Sequence, residues 1–220
     1  MKAITYILAS PLIALFYTMA SLKFRGLSKD LQNCIEIVDA APILPDRFVA
    51  TLVAAEDHRS ALHPGIDPIA IFRVMLVWAQ TGAVQGASTI EQQLVRVALG
   101  RYERTLRRKF WEQLLAIGLS SRRTKSRIAM AYLSIAFYGS GQYGLSALIR
   151  HCGSELLVAP QDNILQMIAK LKYPEPLSPS PEWRQKILRR VSYIAHRLQE
   201  SANSQLQVPR VMPRAPELGR

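Results

Sequence analysis

From Ile4 to Leu22 the chain runs 19 residues without a charged side chain. As an α-helix that length reaches about 28 Å, close to the ~30 Å hydrocarbon thickness of a bilayer. Such a segment either crosses a membrane or is removed as a signal peptide, and Ala20-Ser21 would suit a cleavage site. The stretch is longer than a usual signal core, so a retained transmembrane anchor over residues 1–24 is the expectation. Pro11 is compatible with a membrane helix, where neighbours can satisfy the freed backbone. Charge bias orients the span poorly. Lys2 stands on one side and Lys23, Arg25 and Lys29 on the other, so counting alone leans toward a cytoplasmic main domain.

Beyond the anchor, residues 25–46 are mixed and end in "APILPDR", which reads as a linker. Helical periodicity then dominates. Asp46 is placed to cap "RFVATLVAAED". Pro68 suits the first turn of "PIAIFRVMLVWAQ", and Gly82 closes it. Ser88 or Thr89 can cap "IEQQLVRVAL". "RTLRRKFWEQLLAIGL", "KSRIAMAYLSIAFYG", "DNILQMIAKL" and "PEWRQKILRRVSYIAHRLQ" read as further helices. No stretch alternates β-branched residues long enough for a strand. The fold is therefore expected to be mainly α, with one domain over 47–200 and a flexible, proline-marked tail over 201–220.

Lys and Arg number 28 against 16 Asp and Glu, which points to an anionic partner such as a phosphate-bearing ligand or a membrane surface. Nucleic acid is not favoured, because no recognition motif accompanies the charge. Cys34 and Cys152 are the only cysteines. Two do not make a metal framework, and pairing and free burial stay equally open.

Three places could carry chemistry. Glu112 lies off the apolar stripe Leu106, Phe110, Leu114, Ile117, with Arg108 and Lys109 one turn back; a surface ion pair is the bland reading. Glu56 and Asp57 end a helix pattern, where acids oppose the macrodipole. A locally unfavourable choice of that kind often marks function, and a partly buried Glu beside another carboxylate suits a general base. "QGASTIEQQL" gathers neutral hydrogen-bonding groups at a helix entrance, where free N–H groups bind phosphate well. Ser88 lacks the His/Asp partners of a serine hydrolase. His63 in "HPGID" has no second His at ligand spacing, so a zinc site is not indicated. "GSGQYG" follows a helix rather than a strand, which argues against a dinucleotide fold.

In order, "AAEDHRSALHPGID", "QGASTIEQQLVR", "RRKFWE" and "AYLSIAFYGSGQYG" resemble the motifs of the family 51 peptidoglycan glycosyltransferases. "KYPEPLSPSPEWRQKILRRV" is similar to that family's closing segment. The resemblance covers roughly residues 47–195. It implies a lysozyme-like helical domain behind a single N-terminal transmembrane helix. It also implies polymerisation of lipid-linked disaccharide-peptide into glycan strands, with inversion and release of undecaprenyl diphosphate. Glu56 would be the general base toward the acceptor hydroxyl and Glu112 the second essential acid. Asp57, His63, Arg73, Ser88, Thr89, Gln93, Arg96, Arg108 and Lys109 would make up the substrate-binding set. A Mg2+ or Mn2+ ion at the diphosphate is the one cofactor the resemblance admits, and the sequence marks no independent metal site.

The implied location is the cytoplasmic membrane, with the catalytic domain on its outer side, and the implied partners are the lipid-linked precursor, the growing strand and separate transpeptidases. Several positions depart from the family pattern: Ser60, Glu91, Arg96, Val97, Ser120 and Ser134. Glu91 would place a negative charge near the diphosphate. These departures keep open a non-catalytic relative that binds lipid-linked precursor or a cell-wall partner. A lysozyme-like hydrolase is a third reading.

Overall fold

Hydroxyl and carboxylate caps decide where the central helices begin. The computed structural model describes residues 1–83 and 86–206. Asp67 caps α4 (Pro68–Thr81), its side chain accepting from the N–H groups of Ile69 and Ala70, and Gly82 ends it. Thr89 rather than Ser88 caps α5 (Ile90–Ala98). Thr105 caps α6 (Leu106–Ser120), and Thr124 caps α7 (Lys125–Ile135). Each supplies an acceptor to an N–H that has no partner inside the helix. Asp46 does not cap. It is the first residue of α3 (Asp46–Glu56), behind Pro45, where its charge still favours the helix start.

The mainly helical expectation holds. The segment expected as a linker is instead α2 (Arg25–Ala40), and it belongs to the core. Leu27, Leu31, Cys34, Ile35 and Val38 fall on one buried stripe at helical spacing. Arg127 of α7 donates to the carbonyls of Val38 and Ala41, capping the end of α2. A second unexpected helix, α8 (Gly144–Cys152), follows a small antiparallel hairpin, β1 (Phe137–Gly139) and β2 (Gln142–Tyr143). The glycine-rich "GSGQYG" thus makes a hairpin turn and a helix entry. Strands of three and two residues are too short to leave a periodic signal.

The chain closes with α9 (Gln161–Lys172) and α10 (Pro181–Leu206). The predicted tail therefore begins as helix, and its remainder, 207–220, lies outside the described residues. Phe48 and Leu52 of α3, Leu94 of α5, Leu114 and Leu115 of α6, Ile128 of α7 and Ile168 of α9 fill one core. Both cysteines are free and buried, Cys34 within α2 and Cys152 at the end of α8. Burial pushes their thiols up, to about 12 and about 11.

The N-terminal helix α1 (Lys2–Ser21) holds an 18-residue window of mean hydropathy 1.7 and is long and apolar enough to cross a membrane. It is also fastened to the domain. Phe16 is buried against Gly118 of α6, where an added Cβ would stand 2.5 Å from the ring. Only glycine leaves room for that contact. The outer face of α1 stays exposed, with Ile7, Leu8 and Leu22 all uncovered. α4 is apolar as well and has no buried residue; Phe72, Met75, Leu76 and Trp78 lie open.

Candidate active site

Helix α5 organises the site, because four of its side chains reach four different neighbours. Gln93 donates to Glu56 Oε2 at 3.2 Å, across to the end of α3. Arg96 donates to Glu112 Oε1 at 2.9 Å, across to α6. Gln92 accepts from Lys109 Nζ at 2.7 Å. Glu91 pairs with Lys125 of α7. Residues 93 and 96 are one turn apart, a rise of about 4.5 Å. The two acids singled out in the sequence are therefore both tied to α5 at neighbouring turns.

Glu56 is only partly buried. Its Oε1 accepts from Arg190 of α10 at 2.7 Å, and the same Nη2 donates to the Ala55 carbonyl at 2.7 Å. This answers the awkward placement of an acid at a helix C-terminus, since a guanidinium covers both the carboxylate and a helix-end carbonyl. Tyr193 packs under Arg190, with 5.0 Å between guanidinium carbon and ring centre. Nothing local in "LRRVSY" announced Arg190, because the contact spans 134 residues.

Glu112 is not the surface acid of the bland reading; it is 2% exposed. Three cations surround it: Arg96, Arg108 through a short contact, and Lys109 at 3.6 Å. Lys109 also donates to Ser88 Oγ at 2.8 Å, and Arg96 reaches the same hydroxyl at 3.4 Å. Burial lowers the Lys109 pKa, partly opposed by the nearby Glu112 charge.

Ser88 links the two halves, because it also lines a cleft with Glu56, Asp57, His58, Arg73 and Gly86. Arg73 is exposed there and has no carboxylate partner among the described residues. His58, not anticipated, stands in this cleft; burial and then Arg197 and Arg73 pull its pKa down. It is a neutral polar group near pH 7.

Three expected ligands use their polar atoms inside the domain instead. His63 is 1% exposed; its Nδ1 accepts from the Gly65 N–H, and its Nε2 lies 3.0 Å from Asp57 Oδ1. The other Asp57 oxygen accepts from the Ile90 N–H at 3.2 Å. Thr89 donates to the Gly65 carbonyl at 2.6 Å and caps α5. Gly65 has φ +104° and lies so close to α6 that a Cβ would meet the Ala116 carbonyl at 2.3 Å. Asp57, His63 and Thr89 thus lock the loop after α3 onto α5 and α6.

The departures from the family pattern are absorbed similarly. Glu91 is 1% exposed and turned toward Lys125, so it adds no open charge to the cleft. Arg96 is the Glu112 clamp just described. Ser60 is buried at the start of a short 3-10 turn, and Ser134 donates to the Ala131 carbonyl. Val97 and Ser120 are half-buried on α5 and α6.

Asp57, His63 and Glu91 bring ligand atoms within 4.8 Å of one another. The Lys125 ammonium already stands among them, paired with Glu91 and 3.4 Å from His63 Nδ1. Glu112, the other buried acid, has three fixed cations around it. At the first set the Lys125 ammonium already offsets one of the two carboxylate charges and Asp57 is engaged by His63 and the Ile90 N–H, while the Glu112 charge is met by three protein cations, so neither set is an open donor cluster for a resident divalent ion.

The transglycosylase family model matches residues 29–199. Penicillin-binding protein 1A of Escherichia coli is 35% identical over 166 residues, covering 74% of this chain and 20% of that protein. Penicillin-binding protein 1A of Aquifex aeolicus is 43% identical over 105 residues, 47% of this chain and 14% of that protein. The biosynthetic peptidoglycan transglycosylase of Shewanella denitrificans is 37% identical over 108 residues, 49% of this chain and 47% of that protein. The chain thus spans less than half the length of each of these relatives. It belongs to the transglycosylase family, and its helical domain is of the lysozyme-like kind.

Proposed function

We propose that the chain polymerises lipid-linked disaccharide-peptide into peptidoglycan strands, with undecaprenyl diphosphate as the leaving group. The observation that carries this reading is the pairing of two unlike acids on neighbouring turns of α5. Glu56 lies at an open cleft with one cation. Glu112 is sealed and holds three. The first arrangement suits a group that takes a proton; the second suits a group that fixes cations in place.

In this reading the acceptor sugar's 4-hydroxyl meets Glu56, which removes its proton as the oxygen attacks the donor anomeric carbon from the face opposite the diphosphate. The carbon–oxygen bond to the diphosphate breaks, and that oxygen keeps the electron pair. Charge growing there is met by Lys109 and Arg108, with Ser88, Gly86 and the free Arg73 along the same cleft. Glu112 acts through these cations by holding their side chains in place before substrate arrives. The absorbed departures at Glu91 and Arg96 support activity over a purely binding role.

The membrane reading joins α1 to α4. α1 crosses the cytoplasmic membrane, and the bare apolar face of α4 rests in the outer surface of the bilayer, so the cleft meets a lipid-tailed donor there. The domain then lies on the outer side.

The test is polymerisation of fluorescent lipid-linked precursor by the full chain in detergent. The parent protein yields long strands, and Glu56→Gln loses activity by about 10²–10⁴-fold while still binding precursor. Binding without turnover by the parent would instead establish the non-catalytic relative, and release of soluble fragments from finished peptidoglycan would establish a hydrolase.

A further inference from the structure

A second cavity lies apart from the catalytic cleft. It encloses about 620 Å³ where α1 gives way to α2, against the first turns of α6. Phe24 and Trp111 form one wall, their rings edge to face at 5.8 Å. The Trp111 indole N–H donates to Asp30 at 2.8 Å, and Arg101 pairs with the same carboxylate at 3.0 Å. That leaves Asp30 matched. Arg107 and Glu103 also line the cavity and are exposed, neither with an ion-pair partner among the described residues, so its three arginines outnumber its two acids. Arg108 lines it too, and its guanidinium reaches Glu112.

We propose that this cavity binds the headgroup phosphate of an anionic phospholipid, a site separate from the cleft that holds the sugar donor. The placement rests on α1 crossing the bilayer, as argued above. The exposed apolar face of α1 extends to Leu22, and Lys23 and Arg25 follow directly. The cavity wall begins at Phe24, at the depth where aromatic rings and phosphates meet. Guanidinium groups bind phosphate oxygens in paired, charge-assisted bonds, and an unmatched arginine selects a headgroup with net negative charge. The aromatic wall fits the glycerol and first acyl carbons. Arg108 contacts both the cavity and Glu112, so a bound lipid touches the catalytic cations through one side chain.

Native mass spectrometry of the full chain released from detergent micelles reads this site without any turnover. Phosphatidylglycerol, phosphatidylcholine and inorganic pyrophosphate are the three probes. The parent retains phosphatidylglycerol in preference to phosphatidylcholine, and millimolar pyrophosphate does not displace it. Arg107→Glu weakens phosphatidylglycerol retention about tenfold or more. Arg104→Glu, an equally exposed arginine nearby that does not line the cavity, changes it less than about twofold. Both variants keep the parent's melting temperature and polymerisation rate in lipid-free detergent. Equal losses in the two variants, equal retention of the two lipids, or displacement by pyrophosphate would each overturn the proposal. Extraction of the native protein from membranes by alkaline carbonate would separately overturn the membrane reading on which it rests.

Discussion

Glu56 and Glu112 reach α5 one turn apart, yet the first keeps 16% of its side chain exposed and meets one cation, while the second keeps 3% and meets three. The Glu56 wall is built from three helices far apart in the chain: the last residue of α3, an amide from α5 and an arginine from α10. The Glu112 wall is built from α5 and the first half of α6, whose packing is fixed by Leu94, Leu114 and Leu115. The contrast teaches a division of labour. A group that exchanges a proton needs access and few partners. A group that fixes cations needs the opposite, and a sealed carboxylate is tolerable only because its charge is matched on every side.

The sharpest break in this comparison is Glu56→Gln against Glu112→Gln. The first is expected to remove about 10²–10⁴-fold of polymerisation with little change in melting temperature. The second leaves three crowded cations unmatched and is expected to cost about 3–5 kcal/mol of stability, read by denaturant unfolding, along with activity. Equal stability losses in the two would erase the distinction.

Arg190→Ala comes next. Removing one charge-assisted contact to Glu56 is expected to lower kcat about tenfold or more, with KM for precursor nearly unchanged and partial recovery in Arg190→Lys. A rise in KM alone would move Arg190 from positioning the base to binding substrate.

The smallest expected effect concerns pH. Burial lowers the Lys109 pKa, so its ammonium loses its proton earlier than an ordinary lysine as pH rises. Precursor affinity is expected to weaken on the alkaline side, and Lys109→Arg, which stays charged, should carry that decline to higher pH. A decline at the same pH in both proteins would assign it to another group.

Much of the Glu112 wall was legible in the sequence because its cues are local. Ser88 or Thr89 stood out as the α5 cap, and Arg108 and Lys109 stand one turn from the acid. The burial of Glu112 was not legible, since the decisive partner, Arg96, comes from another helix. On the Glu56 wall, residues 56–57 stood out as locally unfavourable, while Arg190, the residue that relieves them, lies far along the chain. α2 read as linker because its apolar stripe is diluted by Lys29, Gln32, Asn33 and Glu36 on the outer face. His63 and Thr89 stood in the substrate-binding set that the resemblance implied, and tertiary hydrogen bonds use their polar atoms inside the domain. Pairing inside the protein also settled Glu91, whose charge faces Lys125 rather than the cleft.

The seating of Phe16 against Gly118 joins α1 to the helix that bears Glu112. With α1 anchored in lipid, as proposed, that contact sets the height of the groove above the bilayer. On the proposed polymerisation it is then the strand that travels, slipping past a domain held in place.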